Sequence, residues 1–175
     1  MTKNNITLIT GGVGSGKTHQ AMALAVAAQR KVYLATAPSN LDPEMDAKIV
    51  AHQGERDETW TTVEEPIHLA DAYRSALQLP GQVILVDCLT LWASNLVFSQ
   101  ADPTAPLEEF LTLLSRTERQ TIIVTNEVSL GVIPADAMTR SYCKLLARIN
   151  RQVAQIAAEV QLMVSGIPVT IKGDR

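Results

Sequence analysis

Gly11-Gly12-Val13-Gly14-Ser15-Gly16-Lys17-Thr18 has the spacing Gly-x-x-x-x-Gly-Lys-Thr, and residues of these types in this order can hold a chain of phosphates. Glycines let successive backbone N–H groups turn inward around phosphate oxygens, and the helix start behind them adds a partial positive charge. Lys17 supplies a mobile ammonium for the β- and γ-phosphates, and the Thr18 hydroxyl is of the type that binds Mg2+. A second oxygen donor for Mg2+ is expected from Asp87. It follows the aliphatic run Val83-Ile84-Leu85-Val86 and so stands at the carboxyl end of a strand, where ligands gather in open α/β sheets. The alternative use of Asp87 is as the N-cap of the segment after it.

A second group of residues lies in a polar stretch. His52 stands near Lys48, Glu55, Arg56, Trp60 and Glu64, in a segment too polar for a core. Composition alone reads His52 as a surface histidine. A neutral imidazole there also has the chemistry to attack an α-phosphate and form a phosphoramidate, with Arg56 stabilising the charge that grows on the phosphoryl oxygens. His19 and His68 fall at predicted helix starts and read as structural.

The elements that must position these residues alternate. Ile6–Thr10 is a short apolar and β-branched run before the loop, and His19–Gln29 after it is rich in helix formers. Lys31–Ala37 reads as a parallel strand covered on both faces. Asp42–Ala51 reads as a helix with Asp42 as N-cap and Pro43 at its first position. His52–Pro66 reads mostly as loop, with a short strand at Thr59–Val63. A helix at His68–Gln78, a central strand at Gln82–Val86 and a helix at Leu89–Phe98 follow. Ser99–Pro106, with two prolines, reads as the least ordered stretch. Leu107–Ser115 is predicted helical, Thr121–Thr125 a strand, Ser141–Ala158 a long helix, and Val160–Ser165 and Pro168–Lys172 two strands joined at Gly166. This alternation predicts a mostly parallel, doubly wound α/β sheet with flanking helices and right-handed crossovers, of the P-loop NTPase type.

Composition sets outer limits. With 175 residues, 46% of them hydrophobic, the chain can bury one sizeable core, so residues 1–175 are expected to form a single catalytic domain. A net charge of −3 gives no long-range attraction to nucleic acid, so anionic partners must be captured locally. Cys88 and Cys143 lack metal-site spacing and read as buried small apolar residues. No run approaches the ~18 apolar residues of a membrane span, and the first residues lack a secretory pattern, so a cytoplasmic protein is expected. Phosphate binding alone does not choose a reaction. A signalling GTPase would carry Asn-Lys-x-Asp and Asp-x-x-Gly, whereas Asp87 is followed here by Cys88-Leu89-Thr90 and Asn126 by Glu127. Asn126 and Glu127 fit substrate or Mg2+ binding and loop-closing hydrogen bonds equally well.

Along nearly the whole chain the residues resemble the bifunctional adenosylcobinamide kinase / adenosylcobinamide-phosphate guanylyltransferase family of cobalamin biosynthesis. The matching segments are Thr10-Gly-Gly-x-x-Ser-Gly-Lys-Thr18, Tyr33-Leu-Ala-Thr-Ala37, Asp42-x-Glu-Met45, Ile49-x-x-His52-x-x-x-Arg56-x-x-x-Trp60-x-Thr-x-Glu64, Val86-Asp-Cys-Leu-Thr-Leu-Trp92 with Ser94-Asn95, Thr125-Asn-Glu-Val128 with Gly131-Val-Ile-Pro134, and Arg148-Ile-Asn150. The resemblance implies phosphorylation of the aminopropanol hydroxyl of adenosylcobinamide by a nucleoside triphosphate, ATP or GTP. It then implies GMP transfer from GTP onto that phosphate through a GMP-histidine intermediate, giving adenosylcobinamide-GDP. Carried over by position, His52 is the guanylylated residue and works with Lys17. The loop Gly11–Thr18 holds the triphosphate, and Ala35, Thr36 and Ala37 with His52, Gln53, Gly54, Glu55, Arg56, Glu64 and Asp87 complete the GTP site. Thr18 and Asp87 are the Mg2+ ligands. The partners implied are a corrinoid, nucleoside triphosphates and further copies of the chain, in a family that tends to form trimers.

This chain departs from the family pattern at Gly14, where Arg is usual, and at Asp57, where Pro follows the arginine. Ser129 stands for Gly, and Tyr142-Cys143-Lys144 for Phe-Arg-Asp. Lys17 and His52 are spared. The alternatives are a chain with the guanylyltransferase activity alone, another P-loop small-molecule kinase, or a nucleotide-dependent binding module without chemistry.

Overall fold

The computed structural model describes residues 5–38, 54, 56–100, 102–128, 130–131 and 133–173. The predicted helix Asp42–Ala51, and with it His52, Gln53 and Glu55, lies outside the described residues, as does Ser129.

Strands β1 (Ile6–Gly11), β2 (Lys31–Ala35), β3 (Trp60–Glu64), β4 (Val83–Asp87), β5 (Gln120–Val124), β6 (Glu159–Val164) and β7 (Ile167–Lys172) form one sheet in the order β3-β2-β4-β5-β1-β6-β7. All pairings are parallel except β6 with β7, which is an antiparallel hairpin turning at Ser165 and Gly166. Both turn residues have positive φ, 51° and 83°, which glycine adopts freely at the second position. The helices among the described residues that position the site and core are α1 (Lys17–Leu24), α2 (Leu69–Gln78), α3 (Leu89–Phe98), α4 (Thr104–Arg116) and α5 (Ala137–Ile156).

Unbroken apolar strands have a reason here, because both faces of the sheet are covered. Ile6, Leu8, Val32, Leu34, Ile84, Val86 and Ile123 face a core built by α2 to α5. Their neighbours along the same strands, Ile9, Tyr33, Val83, Leu85, Ile122 and Val124, face a smaller core under α1, with Ala21 and Ala25. The larger core holds three aromatics in edge contact: Phe110 has ring centroids 5.6 Å from both Tyr73 and Trp92. Each full burial of such a side chain stabilises by about 1.5–3 kcal/mol.

The elements depart from the sequence expectation mainly at their ends. Helix α1 stops at Leu24 although Ala25–Gln29 continues in good helix formers. The chain is pulled back to the sheet instead, with Gln82 Oε1 accepting from Gln29 N at 2.6 Å and Gln82 N donating to Arg30 O at 2.9 Å. Helix α4 begins at Thr104 and so takes up Pro106, which lies in a first turn where a missing N–H costs nothing. Helix α5 begins before Ser141, because Asp136 accepts from the amides of Met138 and Thr139 and caps it.

Candidate active site

β1 ends at Gly11, whose φ of 150° no other residue adopts easily; a Cβ there would meet Met163 O at 2.6 Å. From this point the loop rises and re-enters helix at Lys17. Gly14 (φ 70°) and Gly16 (φ 90°) occupy the left-handed region that brings consecutive amides to one side. Gly16 is the N-cap of α1 with no side-chain cap bond, and the first turn carries no acid. The loop's far side is braced by the β6–β7 turn, where Gly166 N donates to Ser15 O at 3.2 Å.

Lys17 is buried, 8% exposed, and folds over the loop, donating to Gly12 O and, at 3.4 Å, to Ser15 Oγ. Burial pulls its ammonium below the ordinary lysine value, and the neighbouring Cys88 and Asp87 oppose that shift. An ammonium kept in a half-dry loop on weak neutral acceptors is poised for a stronger anionic partner.

Asp87 closes β4, and its carboxylate lies at the loop. Its Oδ2 accepts from Thr18 Oγ1 at 2.9 Å and from Tyr33 Oη at 2.9 Å. The N-cap alternative does not hold, because α3 starts from Cys88 and no side chain caps it. The Asp87–Cys88 peptide is cis. Burial first, and Asp87 next, push the Cys88 thiol up to about 12, so it is uncharged at neutral pH. The same two causes raise the Tyr33 phenol above its ordinary range.

Parallel register sets the remaining residues in one row across the carboxyl end of the sheet: Glu64 pairs with Ala35, and Ala35 with Asp87. Thr36 is fully buried and bridges two strand ends. Its Oγ1 accepts from Cys88 N at 2.9 Å and donates to Cys88 O at 2.7 Å. Asn95 Nδ2 donates to Thr36 O and Pro66 O, both at 2.9 Å, and so holds the turns after β2 and β3 together. Arg56 lies over the Tyr33 ring, with Cζ 4.2 Å from the centroid, and donates to Thr62 Oγ1 at 3.0 Å. Trp60 meets Tyr33 edge-on at 5.9 Å, and Lys31 Nζ sits 5.3 Å from the Trp60 ring.

The loop, Asp87, Ala35, Glu64 and Arg56 thus gather at one end of the sheet, while Gly54 is exposed. The backbone groups of Asn126 and Glu127 make closing bonds: Asn126 N donates to Thr90 Oγ1 at 2.7 Å and Glu127 N to Gly11 O at 3.0 Å. Sequence reasoning missed the Tyr33 hydroxyl, the Thr90 hydroxyl and the Gly166 brace. The first two carry no local signal, since Tyr33 acts on a residue of another strand and Thr90 on the segment that follows β5.

A mostly parallel sheet with this loop between β1 and α1, and an acid at the end of β4, one strand removed from β1, defines a P-loop nucleotide-binding α/β protein. The solved structure of a type III secretion ATPase of pathogenic bacteria shares the fold, with a TM-score of 0.56 at 10% identity over 95% of this chain and 57% of that one. The family model described as cobinamide kinase / cobinamide phosphate guanyltransferase matches residues 7–171, and the chain belongs to that family. It is 35% identical to the bifunctional adenosylcobalamin biosynthesis protein CobU of Escherichia coli K12, over 94% of this chain and 98% of that protein. It is 37% identical to the bifunctional adenosylcobalamin biosynthesis protein CobP of Pseudomonas aeruginosa PAO1, over 95% and 97%. The chain is a nucleotide-using transferase of cobalamin biosynthesis, with cobinamide kinase and cobinamide-phosphate guanylyltransferase activity.

Proposed function

We propose that both reactions run in turn at the single nucleotide site between the Gly11–Thr18 loop and Asp87. In the first, the terminal phosphate of a nucleoside triphosphate passes to the aminopropanol hydroxyl of adenosylcobinamide. In the second, His52 attacks the α-phosphate of GTP, pyrophosphate leaves, and the GMP on the imidazole passes to the corrinoid phosphate. A phosphoramidate conserves the transfer potential of GTP while the bulky second substrate enters, which lets one site serve two large substrates.

The observation that carries this reading is the 2.9 Å bond between Thr18 and Asp87, which joins the phosphate loop to the strand-end acid beside Lys17. Lys17 neutralises the phosphates as charge moves along them. Arg56, four residues after His52 in the chain, would stabilise the α-phosphoryl oxygens. Ala35, Thr36, Ala37, Gln53, Gly54, Glu55 and Glu64 would complete the walls around GTP. Thr18 and Asp87 would hold Mg2+. Both offer hard oxygen donors, the kind that Mg2+ takes. Bound there, Mg2+ would screen the phosphate charges from the entering nucleophile.

The exposed apolar row Ile167, Val169 and Ile171 along edge strand β7 supports self-association, with the trimer as the form to test.

The test is to supply adenosylcobinamide with ATP alone, with GTP alone and with both, and to separate the corrinoids. Adenosylcobinamide phosphate with ATP alone and the GDP adduct whenever GTP is present are expected. A protein that makes the adduct only from pre-formed phosphate would lack the kinase half.

A further inference from the structure

Among the described residues, Tyr33 is a polar side chain with no part in the reaction sequence above that reaches both Asp87 and Arg56. Tyr33 lies in mid-strand on β2, 5% exposed, on the face covered by α1. A buried tyrosine hydroxyl takes a partner, and this one takes the Asp87 oxygen already bonded to Thr18. Its ring is gripped edge-on by Trp60 and covered on a face by Arg56.

A carboxylate on a single hydrogen bond is free to turn about its last side-chain torsion, which is broad and twofold. Two donors on one oxygen remove that freedom, and Thr18 alone supplies only one. We propose that Tyr33 is a positioning residue of both reactions: its hydroxyl fixes the rotation of the Asp87 carboxylate, and its ring seats Arg56. This rests on the nucleotide-site reading given above. Because hydroxyl and ring do different things, they are separable by substitution. Tyr33→Phe keeps the seat for Arg56 and the edge contact with Trp60 and removes only the bond to Asp87. Tyr33→Leu removes both.

The test measures Mn2+ binding by electron paramagnetic resonance in the protein complexed with the non-hydrolysable analogue guanosine β,γ-imidotriphosphate. Metal-free binding of the same analogue is measured in parallel by calorimetry. For Tyr33→Phe, Mn2+ binding about tenfold weaker is expected, with metal-free analogue affinity within about twofold of wild type. In turnover, kcat should fall while KM for GTP holds, and excess metal should restore part of the rate. Tyr33→Leu should show the same metal defect and also a slower guanylylation step at saturating metal, through the lost Arg56 seat. Unchanged Mn2+ affinity in a folded Tyr33→Phe variant overturns the role. An equal loss of metal-free affinity does so too, since it would mark a merely structural residue. Wild-type protein that fails to bind the analogue at all would instead remove the nucleotide-site reading, and this inference with it.

Discussion

Thr18 and Asp87, 69 residues apart in the chain, meet through a 2.9 Å hydrogen bond from the Thr18 hydroxyl to the Asp87 carboxylate. The contact exists because β4 ends in the same row of the sheet as the strand-end residues of β2 and β5, while α1 starts over that row. Asp87→Asn keeps the shape and a hydrogen-bonding oxygen but removes the charge. Turnover of both reactions should fall by roughly two orders of magnitude, with thermal stability little changed. Steady-state rates at fixed Mg2+ would show it, and rates near wild type would detach Asp87 from the chemistry.

Lys17 is held on two neutral oxygens of its own loop, Gly12 O and Ser15 Oγ. Its removal therefore leaves the fold standing but takes away the charge that meets the phosphates. Lys17→Ala should weaken triphosphate binding by on the order of a hundredfold and abolish both activities. Calorimetric titration with GTP checks this, and unaltered affinity would sink the phosphate-loop assignment.

The tyrosines make a pH prediction. All three, Tyr33, Tyr73 and Tyr142, have phenols raised above the ordinary value of 10.0, each chiefly by burial, Tyr142 to about 12. The folded chain thus keeps phenol protons that the unfolded chain releases near pH 10, so above that pH the folded state binds more protons. Stability is then full below about pH 10 and declines from there through pH 12. Absorbance of tyrosinate should stay low past pH 10 and rise together with loss of helical circular dichroism. A transition near pH 10 in the still-folded protein would contradict the packing of these rings.

Helix α5 depends on a cap rather than on propensity at its start. Asp136 accepts from Thr139 N at 2.6 Å and from Met138 N at 3.3 Å. Asp136→Ala should cost ~1 kcal/mol and lower Tm by about 2–4 °C, without change in nucleotide affinity. Calorimetric melting and GTP titration together check it; an unchanged Tm would mean that the first turn carries no stability.

What could be read from the sequence divides along physical lines. The phosphate loop was legible because glycine, lysine and threonine at fixed spacing encode local backbone geometry. Asp87 was legible because an aliphatic run ending on an acid marks a buried strand reaching the sheet's edge. The cap at Asp136 carried a local signal of the same kind, but the four residues after it lack the strong apolar period that usually announces a helix. Tyr33 was legible as a strand residue only. Its hydroxyl finds Asp87 because β2 and β4 are neighbours in the sheet, an order that local pattern does not contain. The same holds for Gly166 under the phosphate loop, which depends on β6 lying beside β1.

A GMP-His52 intermediate is tested by incubating the protein with Mg2+ and GTP labelled at the α-phosphate, denaturing it, and looking for acid-labile, base-stable label on the chain. Label on the wild type, none on His52→Ala, and discharge of the label when adenosylcobinamide phosphate is added before denaturation are expected. Wild-type protein that binds GTP yet takes no label, or a His52→Ala variant that is labelled equally, would contradict a GMP-His52 intermediate.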